Sequence, residues 1–528
     1  MPNLSPIGSI SHRSVRTPLA SLIVAMTLAG CGGGGGGSGS TDSSGGVVNT
    51  PSTSVVTLPA SASLAQRCVT PRPGTSDVQG TVDDEKAFIH SWIDETYLWY
   101  QDVRALPAST LNAANYSTAL DYFNALKTPL TTASGKAKDQ FHFTYDTPTW
   151  TALSQSGVSL GYGFQVALVS TQPPRSAVVA FTDPNTPAAA QNIGRGASIL
   201  SVDGADLVNG SDVDTLNAGL FPTAAGSHTF VIQDQGATST RTVTMTAGQV
   251  TETPVQNAHV LPAPNASTGY ILFNDHMATA ESELVDAINT LKAANVTDLV
   301  LDMRYNGGGY LDIASELAYM IAGPTQTAGK FFERETFNDR NPFDETVAED
   351  TTDFHSTGQG YSLVTGFPLP SLGLGRVYVL TSADTCSASE SVINGLRGAG
   401  IEVDLVGGTT CGKPYGFYPQ DNCNTTYFAI QFQGVNNAGF GDYADGFTPT
   451  CTASDDFAHA LGDPAENQLS IALGLRNTGV CVAATAMGKK VIQSAGSLSR
   501  PAAKPVLQRD FFRENRILRS ASLASQAR

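Results

Sequence analysis

The stretch "DTCSASESVINGL", Asp384 to Leu396, follows the apolar run "RVYVLTS" and opens a helical pattern, with Ser387 at the turn between them. A serine on a sharp strand-to-helix turn presents its hydroxyl outward, and the first N–H groups of the helix favour a developing anion beside it. Serine at a helix start is also an ordinary N-cap, so Ser387 alone does not establish a nucleophile. It needs a base. The eight histidines, at 12, 90, 142, 228, 259, 276, 355 and 459, stand in no suggestive motif. The other candidate is Lys413, which closes "GGTTCGK" 26 residues after Ser387, beyond the next strand. An amine acts as a general base near neutral pH when burial lowers its pKa from ~10.4 towards ~7–8, so its site must be enclosed.

Gly407, Gly412 and Lys413 also approach the phosphate-cradling pattern G-x-x-x-x-G-K-[ST], but Pro414 stands where a Mg²⁺-binding hydroxyl belongs. No second phosphate-site feature accompanies it, and the base role is the stronger one. The third piece is "DMRYNGGGY", Asp302 to Tyr310, whose glycines before a helix offer exposed N–H donors. With the N–H of Ala388 they could form an oxyanion hole. A glycine-rich turn explains that stretch equally well by itself.

These pieces must be brought to one place. From about Gly269 the chain alternates "GYILFND", "ESELVDAINTLKAANV", "TDLVLDMRYN", "YLDIASELAYMIAG", "RVYVLTS", "ASESVINGLRGAG" and "IEVDLVGG". Such β-α-β repetition predicts a sheet with helical crossovers, whose strand C-termini share one edge where sites collect. A polar stretch from Phe331 to Gly360 is predicted as a long loop. Upstream, "GYGFQVALVS", "SAVVAFT", "ASILSVDG", "HTFVIQD" and "TRTVTMTAG" predict five short strands, with one small helix in "TPAAAQNIGRG". Before them, Phe88, Ile89, Trp92, Ile93 and Tyr100 fall at helical spacing behind Asp83, Asp84 and Glu85, which suit a helix N-terminus.

The 528 residues have room for about three domains, and a net charge of −17 argues against nucleic acid as a partner. "SHRSVR" followed by "TPLASLIVAMTLAG" reads as an export signal, too short for a membrane span of about 20 residues. Leu28-Ala29-Gly30-Cys31 resembles the bacterial lipobox, which implies cleavage before Cys31 and lipidation there. Gly32 then implies an outer-membrane destination in the cell envelope. "GGGGGGSGSTDSSGG" follows as a flexible tether. Six cysteines remain, Cys68, Cys386, Cys411, Cys423, Cys451 and Cys481, an even set that favours disulfides in an oxidising compartment. With scattered histidines and no paired C-x-x-C spacing, no metal or cofactor is expected. From Ala486 the chain carries nine Lys/Arg against two Asp/Glu, a basic tail on an acidic protein.

The order of the three motifs resembles the C-terminal processing (tail-specific) serine peptidases. Their protease domain carries D-L-R-x-N-x-G-G, then S-A-S-E with the nucleophile first, then G-K with the base. Here the counterparts are Asp302 to Gly309, Ser387-Ala388-Ser389-Glu390 and Gly412-Lys413. Across about residues 80 to 480 the resemblance implies Ser387 as nucleophile, Lys413 as base, and the N–H groups of Ala388 and Gly308 as oxyanion donors. It also implies a PDZ domain, in which Gly161, Tyr162, Gly163 and Phe164 look like the loop that captures a peptide C-terminus. The implied fold is multidomain α+β: signal peptide 1–30, tether 31–65, helical region 66–155, PDZ-like β module 156–250, a ClpP/crotonase-like α/β protease domain 255–485, and tail 486–528.

The chain departs from the family's pattern at three places. Phe417 replaces a frequent glutamine, Gly398 a frequent aspartate, and "RGAS" the usual R-G-D. Gln431 and Gln433 are stand-ins only by proximity in sequence. A dyad within hydrogen-bond reach would place Cys386 and Cys411 inside the ~4.4–6.8 Å Cα window of a disulfide. That bridge is therefore expected, with Cys423–Cys451 bracketing the next strands. The expected function is an exported serine endopeptidase acting on unfolded proteins or peptides with free C-termini, touching the membrane only through its lipid. The alternative is a catalytically inactive, peptide-binding PDZ lipoprotein.

Overall fold

Alternation along four parallel strands builds the central layer. Thr268–Phe273, Asp298–Asp302, Arg376–Thr381 and Glu402–Gly407 are consecutive neighbours in a six-stranded sheet. Val255–Val260 closes one side antiparallel, and Cys451–Thr452 closes the other parallel. Because side chains alternate between faces, Ile271, Phe273, Leu299, Leu301, Val377, Val379 and Leu405 join one core. That core is completed by the helices Ala280–Ala293, Leu311–Thr327 and Ala388–Gly398. Tyr270, Leu272, Val300, Tyr378, Leu380 and Val406 join the other, beneath the helix Asn467–Thr478 and with Ala180 and Phe181. The sheet is buried on both faces, as the near-continuous apolar runs require.

The computed structural model describes residues 58–342, 350–481 and 516–518. The signal peptide, Cys31, most of the tether and most of the basic tail lie outside the described residues. Among the described residues no helix is long and apolar enough to cross a membrane.

The β module has seven strands, not five, in the order Val158–Gly161, Arg241–Thr251, Gly226–Gln233, Ser198–Val202, Ser176–Thr182, Phe164–Ser170, with Ala205–Asp206 beside Ser198–Val202. The two extra strands, of four and two residues, are too short to show a period. A second helix, Val213–Leu220, was also missed. Arg195 ties this module to the central sheet: its guanidinium donates to Tyr305 Oη (2.7 Å), the His459 carbonyl (3.0 Å) and Asp455. Asp455 in turn accepts from Arg304, which is fully buried and also held by Asp302 and Glu466. A charge buried this deeply is tolerated because carboxylates surround it.

The polar stretch after Phe331 is not one long loop. Phe331–Phe337 is a strand of a four-stranded sheet, between Thr351–Asp353 and Phe432–Val435, with Tyr415–Gly416 at the far end. Its polar residues Glu333 and Glu335 are buried, which hides the strand from a hydropathy reading. The N-terminal region is helical over Val82–Thr96, where Thr81 and Asp84 form a capping box. Towards its end the strand Phe143–Asp146 pairs with Thr425–Phe428 and leads into the helix Thr147–Ser156.

That pairing corrects one disulfide. Cys423 sits in the turn before Thr425–Phe428 and bonds Cys68 of the N-terminal region, not Cys451. Cys451, on the edge strand of the central sheet, bonds Cys481, just beyond the end of the helix Asn467–Thr478. Cys386–Cys411 is present, with Cα atoms 5.2 Å apart.

Candidate active site

Ser387 leaves the strand Arg376–Thr381 through a short turn and stands immediately before the helix Ala388–Gly398, fully buried. Its backbone is strained for a residue with a Cβ, at φ 64° and ψ −120°. Such a conformation costs on the order of 1–3 kcal/mol and persists only where its surroundings enforce it. Asn306 supplies part of that enforcement: its carbonyl accepts from the Cys386 N–H (3.1 Å) and from Ser389 Oγ (3.0 Å). Ser387 Oγ itself makes no hydrogen bond among the described residues.

The fully buried carboxylate of Glu390 holds the rest. It accepts the backbone N–H groups of Ser387 (3.0 Å), Gly412 (2.9 Å) and Lys413 (2.8 Å), and the Thr410 hydroxyl (2.5 Å). Burial pushes its pKa up, and the same hydrogen bonds oppose that shift. The loop that brings Lys413 here turns at Gly412, where φ is +92° and a Cβ would lie 2.3 Å from the Ala444 carbonyl oxygen. Only glycine fits there.

Lys413 is completely buried. Its ammonium lies 4.1 Å from the centroid of the Phe417 ring and 4.8 Å from that of Phe141, within cation–π range. Phe417 is itself wedged against Phe143 and Phe428, at 5.5 and 5.4 Å. Gln431 and Gln433, the stand-ins suggested by sequence, are engaged with backbone: Gln431 accepts from the Tyr418 N–H, and Gln433 donates to the Gly441 carbonyl. At the other departure, a Cβ on Gly398 would lie 2.7 Å from that of Asn436, which fills the space and donates to Asn394.

The glycine loop lies alongside. Asn306 Oδ1 accepts the Gly308 N–H (2.9 Å) and faces His276 Nδ1 (3.0 Å). Burial depresses the His276 pKa to about 3, so its ring is neutral. The expectation that Gly308 offers its N–H to an oxyanion is corrected accordingly, because that N–H is already engaged by Asn306. The next residue, Gly309, must be glycine: its φ is +142°, and a Cβ there would lie 2.5 Å from the His276 carbonyl oxygen. Ala388 begins the helix, where an N–H has no acceptor within the helix.

Gly161, Tyr162, Gly163 and Phe164 lie in the β module. Tyr162 is buried with its hydroxyl on the Gly219 carbonyl (2.9 Å), and Phe164 stacks on it at 5.5 Å. Sequence reasoning did not single out Glu390, Asn306 or Phe141. Glu390 was legible as the fourth residue of an S-x-x-E capping box. Phe141 left no signal, since only the folding of the N-terminal region onto the lysine loop brings it near.

Residues 267–432 match the profile of peptidase family S41, and residues 84–145 that of the peptidase S41 N-terminal domain. The carboxyl-terminal-processing protease of Picosynechococcus sp. is 28% identical over 238 residues, 44% of this chain and 49% of that protein. The chain thus matches about half the length of that curated relative. A crystal structure assigned to the S41 proteases, from Bacteroides fragilis, superposes with a TM-score of 0.57 over 74% of this chain and 97% of its own, at 21% identity, which shows a shared fold. Both matched regions fall on the structure described above, the first across the central sheet with its Ser387 and Lys413 loops and the second across the N-terminal helices, and over those two regions the chain is similar to peptidase family S41.

Proposed function

We propose that the chain is an exported serine endopeptidase that hydrolyses peptide bonds with a Ser387/Lys413 dyad. The observation that carries this reading is the Glu390 carboxylate, which takes the backbone N–H groups of both residues and so builds nucleophile and base on one anchor. Ser387 Oγ attacks the scissile carbonyl carbon as the neutral Lys413 amine accepts its proton. The N–H groups of Ala388 and Gly309 hold the oxyanion. Collapse of the tetrahedral species breaks the C–N bond, and Lys413 returns the proton to the leaving amine. Water then gives a proton to Lys413 and adds its oxygen to the acyl carbon; the ester C–O bond breaks, and Lys413 returns that proton to Ser387 Oγ.

Three disulfides that use all six cysteines after Cys31 support export to an oxidising compartment. Lipid anchoring at Cys31 and an outer-membrane station belong to the same reading. The β module acts as a PDZ domain in it. Its strand Phe164–Ser170 ends the sheet, bonded on one side only, and the loop from Gly161 to Phe164 precedes it, which supports capture of a substrate C-terminus by strand addition.

Phe417, in place of the family's frequent glutamine, favours a second reading in which the protease is silent and the lipoprotein only binds peptides. One comparison separates the two. Soluble wild type, Ser387→Ala and Lys413→Ala are offered an unfolded protein with an apolar C-terminus. Cleavage by wild type, reduced about 10³-fold or more in both variants, establishes the dyad. A folded wild type that binds the C-terminal peptide and cleaves nothing leaves the binding module.

A further inference from the structure

The short strand Gly308–Tyr310 has two edges. One is taken by His276, whose N–H donates to the Gly308 carbonyl (3.1 Å) and whose carbonyl accepts from the Tyr310 N–H (2.8 Å). Neighbouring residues of a strand turn their N–H and C=O groups to opposite edges, so Gly309 addresses the other. On that edge runs Arg516–Leu518, parallel, with Arg516 opposite Gly308, Ile517 opposite Gly309 and Leu518 opposite Tyr310. The same three residues pack beside the helix that Ser387 precedes and beside Tyr415–Gly416, two residues beyond Lys413. A segment of the basic tail thus lies against all three elements that carry the candidate chemistry.

We infer that the free edge of Gly308–Tyr310 is a seat for an extended peptide, and that the chain's own C-terminal segment around Ile517 occupies it in competition with substrate. That the competitor displaced is a substrate rests on the peptidase reading; the seat itself is a backbone-recognition site whatever the chemistry. Three observations support it. First, the close approach of His276 on one edge leaves no room for a Cβ on Gly309, so the strand meets its partner on the other edge through main chain, as the pairing with Arg516–Leu518 does. Main-chain pairing of this kind accepts many sequences, which a site that receives both a tail and varied substrates requires. Second, 34 residues separate Cys481 from Arg516, and at up to ~3.3 Å per residue the connection imposes no strain. Third, residues 486–528 carry nine Lys/Arg against two Asp/Glu on a chain whose net charge is −17, so the tail is drawn to the rest of its own molecule.

A tethered segment acts at an effective concentration on the order of 1 mM, so an intrinsic affinity of ~100 µM keeps the seat about nine-tenths filled and weakens any added peptide about tenfold. The test uses the full chain with Ser387→Ala, to prevent turnover, and a fluorescent peptide of residues 509–523. Fluorescence anisotropy is compared with and without Leu518→Pro, which removes the backbone N–H that the parallel register turns towards the Gly309 carbonyl. A chain ending at Cys481, which keeps the Cys451–Cys481 bond, is the second variant. The expected result is peptide binding about tenfold tighter in both variants than in the full chain. Equal binding in all three, or binding in none, overturns the seat. Because this readout needs no catalysis, a dead enzyme with tail-dependent binding refutes the dyad alone. An active one without tail dependence refutes the seat alone.

Discussion

Glu390 and Lys413 are joined by the lysine's backbone N–H, which donates to the buried carboxylate at 2.8 Å, while the lysine ammonium is sheathed by Phe417 and Phe141. The acid fixes where the lysine's main chain sits, and two aromatic rings fix where its amine goes. Positioning is thereby divided between a polar anchor on the Ser387 side and an apolar slot built partly by the N-terminal region. Phe417 packs its ring against that amine and is itself held by Phe143 and Phe428.

Glu390→Gln should therefore damage both stability and turnover. An amide turns a donor towards N–H groups that need acceptors, and leaving buried donors unsatisfied costs about 1–3 kcal/mol. Urea unfolding should show that loss. In peptide hydrolysis, kcat should fall by at least ~10-fold with KM little changed, since Ser387 and Lys413 lose the anchor they share. A variant with wild-type kcat and reduced stability would reduce Glu390 to a helix cap.

Phe417 should act as a positioning residue for Lys413. Cation–π contacts are worth about 0.5–2 kcal/mol, so Phe417→Leu, which keeps an apolar wall but removes the ring face, should lower kcat roughly 3- to 30-fold. The alkaline and acid limbs of the pH–rate profile should also move, which loss of packing alone would not cause. Phe417→Gln tests whether the family's frequent residue restores the wild-type profile. An unchanged profile in Phe417→Leu would remove the ring from the mechanism.

The central sheet and both loops were legible because their signals are local. Four runs such as "TDLVLDM" and "RVYVLTS" carry the apolar texture of doubly covered strands, and Ser387 and Lys413 each follow one. What was hidden depends on long-range folding or on polar residues in buried places. Phe331–Phe337 reads as loop because Glu333 and Glu335 face the interior. The Cys68–Cys423 bond spans 355 residues, a separation about which spacing within the protease domain says nothing. Cys386–Cys411 was foreseeable because it follows from the same closeness that the dyad requires.

That last disulfide should matter for catalysis as well as for stability. Closing a loop of 25 residues restricts the unfolded chain by roughly 3 kcal/mol. It also ties the residue before Ser387 to the residue two before Lys413. Replacing both cysteines with alanine should lower the unfolding free energy by about that amount. It should also reduce kcat more than it raises KM, whereas removing Cys451–Cys481, which ties the edge strand to the end of the helix Asn467–Thr478 rather than one loop to the other, should act mainly on stability. Equal kinetic effects from the two pairs would detach the bridge from the site.

Alkaline destabilisation should trace to Glu316. Its carboxyl is buried beside that of Glu281, and the Glu281 carboxylate accepts the backbone N–H groups of Gln359, Gly360, Ser362 and Leu363. Burial first, then the Glu281 charge, raises the Glu316 pKa from 4.5 to about 9. A raised folded pKa means that the native state keeps a proton the unfolded chain releases. This group's contribution is thus fully present below pH 4.5 and is lost as pH rises towards 9, with a slope of at most ~1.4 kcal/mol per unit. Glu316→Gln mimics the protonated acid and removes that slope. Its unfolding free energy should exceed that of wild type by a margin about 4 kcal/mol larger at pH 8.5 than at pH 5, read by urea denaturation at both values. Parallel curves for the two proteins would mean that Glu316 is ionised in the native state and that its neighbours, rather than a retained proton, accommodate the charge.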